Sequence, residues 1–206
     1  MARRTNVLLS LGFVAVILVC GVPTAGAQNI LVNSAETINK GNFKIGVYPT
    51  VLLGEDGADN NWGVFGRFGY GFTERFDMEA KLGVFDDLKL YGLDAEAWLV
   101  KHEPLDVSAS LGLHKANSDA GFDSSAIDLS LMGSKHVGNN LELYGGLSVS
   151  FESLDDVSDS DFTRTYLVPG FEYKINHQLD LVGEVGVGLN DDSPNYVSFG
   201  LALYIR

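Results

Sequence analysis

The sequence is poor in cysteine, proline and positive charge. A single Cys among 206 residues, Cys20, excludes a disulfide scaffold and a zinc-thiolate site. Only 5 Pro stand beside 24 Gly, so neither a proline-rich linker nor a collagen repeat is present. Fourteen Lys and Arg face 27 Asp and Glu, a net charge of -13, the wrong sign for neutralising phosphates. Nucleic acid is therefore not an expected partner. With 46% apolar and 20% charged residues, a disordered chain and a coiled coil are also excluded. Beyond residue 20 no run of 18 apolar residues remains, so no membrane-spanning helix is expected.

The one apolar run lies at the start and has the layout of an export signal. Arg3 and Arg4 precede an apolar stretch from Val7 to Cys20, and Ala25-Gly26-Ala27 supplies small residues for cleavage. Residues 1–27 are thus expected to be a cleaved signal peptide. Lipidation at Cys20 is disfavoured because Val19 stands where that signal wants a small residue. The remaining chain would have no cysteine and, losing both arginines, a charge of -15.

What fills the rest is alternation with a period of two. Phe76, Met78, Ala80, Leu82 and Val84 share one parity, with Asp77, Glu79, Lys81 and Gly83 between them. Such a segment is a strand with one apolar and one polar face. The pattern recurs from Leu105, Leu141 and Leu179, each opening with an acidic residue between two apolar ones. With the intervening partners, ten strands are predicted: 42–53, 62–72, 76–85, 89–100, 105–115, 126–137, 141–152, 163–175, 179–189 and 196–206. Their length suits the roughly 9 to 11 tilted residues that cross a bilayer. Connections such as 73–75 and 138–140 are short, whereas 55–61, 116–125, 153–162 and 190–195 are longer and mostly acidic, with Asp86-Asp87 a tight exception. Short turns at one end and long loops at the other are the asymmetry of a transmembrane barrel.

Two features separate a lipid-facing barrel from a soluble one with an apolar core. Glycines such as Gly46, Gly69, Gly71, Gly112, Gly170, Gly186 and Gly200 crowd the polar face, where a narrow interior would need room for bulky neighbours. On the apolar face the aromatics gather near strand ends, among them Trp62, Phe72, Phe76, Tyr91, Phe151 and Tyr173, as interfacial girdles would. The expected fold is an all-β, up-and-down antiparallel transmembrane barrel of ten strands, eight being the runner-up. Residues 28–41 form a periplasmic N-terminal lead in this reading, and 42–206 the barrel.

On these patterns the chain resembles the small bacterial outer-membrane β-barrel proteins of the OmpX, OmpW and OmpA-barrel kind. Families of this kind close on an alternating strand ending in Phe or Trp. Here Val197, Phe199, Leu201, Leu203 and Ile205 keep the alternation, while Arg206 stands last. The resemblance implies the outer membrane of a Gram-negative bacterium. It also implies outer-membrane lipid, lipopolysaccharide and the barrel assembly machinery as partners.

No catalytic constellation emerges, no metal site and no cofactor. His102, His114, His136 and His177 are scattered without ligand spacing. Ser134 and His136 share a strand face, but no orienting acid accompanies them. The run Glu152, Asp155, Asp156, Asp159 and Asp161 reads as a solvated acidic loop, with weak divalent bridging to lipopolysaccharide as the sharper alternative.

The polar face carries the chemistry. Parity turns Asp77, Glu79, Asp94, Glu96, Asp106, Asp128, Glu142, Glu172, Asp180 and Glu184 inward, against Lys44, Arg67, Lys81, Arg164 and Lys174. Five bases cannot neutralise ten acids, so the interior is either watered or not fully charged. A narrow acidic pore for small solutes or cations is the expected function. The alternative is a structural or surface-interaction barrel acting through its acidic loops, with the lumen a salt-bridged plug.

Overall fold

The computed structural model describes residues 30–54, 59–101, 105–118, 123–155 and 161–206. The alternating segments form ten strands: β1 Phe43–Leu52, β2 Asn61–Thr73, β3 Phe76–Phe85, β4 Leu88–Val100 and β5 Asp106–Ser118, followed by β6 Asp123–Val137, β7 Leu141–Leu154, β8 Asp161–Lys174, β9 Leu179–Gly188 and β10 Tyr196–Ile205. Each pairs antiparallel with its sequence neighbours, and β1 pairs with β10 to close the barrel. Both ends of the barrel chain, Phe43 and Ile205, face each other at the short-turn rim.

Burial follows the period of two, and in β3 it alternates without a break. The outer face carries the apolar parity: Leu82 is 58% exposed and Trp62 62%. In water so large an apolar band would be untenable, whereas in a bilayer it is the surface that lipid covers. Phe43, Tyr70, Phe72 and Phe76 form a chain of ring contacts near the short-turn rim.

Closure also explains where proline is tolerated. Pro49 lies where the β1–β10 ladder skips from Val47 to Thr50, and Pro169 where the β8–β9 ladder skips from Leu167 to Gly170. Lacking an N–H, each sits on a side that has no ladder bond to lose.

Two expectations need revision. The connection expected at 116–125 is mostly strand, because β5 runs to Ser118 and β6 starts at Asp123, with Ala116 opposite Ser124. Likewise β7 runs to Leu154 and β8 starts at Asp161. Hairpin pairing continues there beyond the apolar band, since the ladder needs only backbone groups and not an apolar face. Asp156 and Asp159 lie outside the described residues, as does His102.

The larger departure concerns the expected periplasmic lead, residues 28–41, of which the described part begins at Ile30. From Ile30 to Ile38 the chain runs inside the barrel, with Ile30, Leu31, Val32, Ala35 and Ile38 all buried. Only Asn39, Lys40 and Gly41 are exposed at the mouth. Glycines make this possible: a Cβ at Gly71 would lie 2.3 Å from the carbonyl oxygens of Ile38 and Asn39. A Cβ at Gly69 would meet Ile38 Cδ1 at the same distance.

Candidate functional site

The lumen concentrates most of the ionisable side chains that the wall turns inward. All of the polar-face residues Lys44, Arg67, Asp77, Glu79, Lys81, Asp94, Glu96, Asp128, Glu142, Arg164, Glu172, Asp180 and Glu184 are buried inside it. Asp106 and Lys174 sit half-buried at the short-turn end.

A continuous ion-pair network crosses six consecutive strands. Lys44 Nζ of β1 lies 3.5 Å from Glu79 Oε1 of β3. Arg67 of β2 reaches Glu79 through Nε at 3.0 Å and Asp94 of β4 through Nη2 at 2.9 Å. Lys81 Nζ bridges Asp94 Oδ1 and Asp128 Oδ2 of β6, both at 2.7 Å. His114 of β5 completes it, with Nδ1 2.7 Å from the same Asp128 oxygen.

Register explains why these pairs form diagonally. Directly opposite neighbours have like charge, Arg67 facing Lys81 and Glu79 facing Asp94. Such pairs repel, so each side chain leans toward the next level. Glycine supplies the room, Glu79 facing Gly69, Lys81 facing Gly92 and Asp94 facing Gly112. A Cβ at Gly112 would come within 2.1 Å of Asp94 Oδ1.

A second, smaller pair lies toward the long loops. Arg164 Nε is 2.9 Å from Glu152 Oε1, both side chains fully buried, and the guanidinium rests 4.9 Å from the Phe162 ring. Glu152 is thus not part of a solvated acidic loop. It continues the inward parity of Ser148 and Ser150, whereas Asp155 is exposed and meets Lys115 at 3.5 Å.

The remaining acids have no ion-pair partner among the described residues, and three of them are capped by the N-terminal segment. Glu184 accepts from the backbone N–H of Leu31 at 3.2 Å and from the hydroxyls of Tyr196 and Tyr144. Asp77 accepts from the N–H of Ile38 at 2.6 Å, and Glu96 from the Asn33 side-chain amide. In return Asn33 Oδ1 accepts from Lys44 at 2.7 Å, and the carbonyl of Leu31 accepts from Arg67. Both oxygens of Glu142 lack a hydrogen-bond partner among the described residues.

Oxygens of Asp77, Glu79 and Glu96 lie within 4.8 Å of one another, near enough to hold a cation. Beside them, between Leu31, Asn33 and Arg67, is a cavity with room for about one water.

Ser134 and His136 do not form a nucleophile and base. His136 Nε2 pairs instead with Glu36 Oε1 at 2.6 Å, and Glu36 also lies 3.9 Å from Lys174. An acid partner for this histidine therefore exists, but it comes from the N-terminal segment. Parity alone could have turned His114 inward; nothing local could have named Glu36 or Asn33.

The chain matches the outer membrane protein beta-barrel domain family over residues 12–204. It belongs to that family. Its place is accordingly the bacterial outer membrane. An outer membrane channel from Pseudomonas putida F1 has a similar structure, with a TM-score of 0.56 at 11% identity, covering 83% of this chain and 98% of that one. The outer membrane protein OprG from Pseudomonas aeruginosa aligns with a TM-score of 0.42 at 15% identity, over 84% and 100%. Ail from Yersinia pestis gives 0.41 at 14%, over 81% and 100%. At these identities the likeness to the channel carries the fold alone. No curated protein matches the sequence.

Proposed function

We propose that this outer membrane barrel is a narrow, cation-favouring pore for ions and small solutes, with the charged lumen as its filter. One observation carries the reading: Asp77, Glu96, Glu142, Glu172, Asp180 and Glu184 are all buried in the lumen, and none has an ion-pair partner among the described residues. Where water reaches them and they ionise, unpaired carboxylates in a low-dielectric tube attract cations and repel anions. The similar Pseudomonas putida structure is itself an outer membrane channel, which supports a barrel of this kind carrying solutes. The test is refolded protein in a planar bilayer under a salt gradient. A small current with a cation-favouring reversal potential is expected, and an anion-favouring one would refute the filter. Replacing Asp94 and Glu96 by Asn and Gln should weaken the preference.

A further inference from the structure

The N-terminal segment occupies the path that a solute would take, and the same carboxylates that would select cations hold it there. We propose that residues 30–38 are a displaceable plug, and that its departure both opens the lumen and uncovers Asp77, Glu96 and Glu184 as the filter. This rests on the pore reading above and concerns its regulation.

Four observations converge. Most of the segment is buried in the lumen, Ile30 and Val32 almost completely, with Asn33 and Glu36 half-buried. Its apolar side chains Ile30, Leu31, Val32 and Ala35 pack into the interior cluster, and its anchors on the wall's acids are polar: the N–H of Leu31 on Glu184, the Asn33 amide on Glu96 and the N–H of Ile38 on Asp77. Each is a carboxylate that no base neutralises among the described residues, so these donors stand in for missing cations. Water or a solute cation could replace them without leaving a buried acceptor unmet. The mouth end is latched by Glu36 against His136 and Lys174, groups partly open to solvent. Finally, Val32 has φ of 42°, a left-handed conformation that strains a β-branched residue. Leaving the lumen would release that strain.

No strand is contributed by residues 30–38, and the closed ladder from β1 to β10 does not depend on them. The wall can therefore persist when the plug leaves.

The test compares the full chain with three variants, each first shown to be folded by its faster mobility on an unboiled detergent gel. One lacks residues 30–38. The second, Val32→Asp, puts an acid beside Glu184 without touching the wall. The third, Glu36→Cys with His136→Cys, is closed by a cleavable bifunctional thiol reagent; the chain's own Cys20 lies in the expected signal peptide. Emptying a mostly occupied plug state should raise the open fraction about tenfold in the first two, with a stronger cation preference. A synthetic peptide of residues 30–38 should block the deletion variant. The cross-linked chain should stay closed and recover on cleavage. If the deletion fails to fold, Val32→Asp and the cross-linked chain still decide. Equal currents and equal selectivity in all of them would overturn the plug while leaving the pore reading standing. No current from any folded variant would overturn the pore reading, and the plug with it.

Discussion

Removing one partner of the Arg164–Glu152 pair tests whether this lumen is dry where the structure closes it. Both side chains are essentially inaccessible, and their charged atoms lie 2.9 Å apart. No other carboxylate pairs with Arg164 among the described residues, so Glu152→Gln strands a buried guanidinium and Arg164→Met strands a buried carboxylate. Breaking a buried pair on one side costs about 3 to 5 kcal/mol, whereas replacing both members by apolar residues is often neutral or stabilising. For a domain of this size that corresponds to a drop of about 6 to 20 °C in the unfolding midpoint for either single change. The double change Arg164→Met with Glu152→Leu should recover most of it. The assay is the temperature at which half the protein loses its folded mobility on a detergent gel. Single changes within about 0.5 kcal/mol of the parent, as is usual for surface positions, would show that water screens the pair. A double change as damaging as the two singles together would show that no coupling exists. Either result would refute the buried-pair reasoning.

Other predictions follow from the same geometry. A Cβ at Gly186 would lie 1.8 Å from Tyr196 Cε1, so Gly186→Ala should cost about 1 to 3 kcal/mol of stability. Combining it with Tyr196→Leu should be less damaging than the sum, measured on the same gel. Cysteines at Asn60 and Asp192, on the long-loop side, should react with a membrane-impermeant thiol reagent on intact cells, whereas those at Asn139 and His177 should not. Equal labelling of both sets would contradict the orientation. Asp94→Asn with Glu96→Gln should lower cation preference more than stability, because Arg67 retains Glu79 and Lys81 retains Asp128. A large stability loss with no change in selectivity would instead favour a structural network.

Strand positions and the inward residues were legible because a barrel wall imposes a period of two on every residue it holds. Glu79, Lys81 and Asp94 could be turned inward from parity alone. Which of the inward residues each one pairs with could not be read, since diagonal pairing depends on which glycine faces each side chain. Glu152 was masked by the acidic residues that follow it, although its parity with Ser148 and Ser150 was correct for a buried site. The plug was illegible for a different reason. Residues 30–38 carry no alternation: Ile30, Leu31, Val32 and Ala35 all pack into the interior cluster, and the anchors on Glu184 and Asp77 are backbone N–H groups, which leave no trace in residue type. What the sequence did carry was the demand for them, an excess of inward acids over inward bases. The glycines at 69 and 71 were legible as interior space, but not as space for the chain's own N-terminal segment.

The most direct test is the reversal potential of folded protein in a planar bilayer under a tenfold potassium chloride gradient, recorded for the full chain and for the chain lacking residues 30–38. A cation-favouring potential is expected in both, with more current and a stronger preference once the segment is gone. An anion-favouring potential, or silence from both folded proteins, would contradict this.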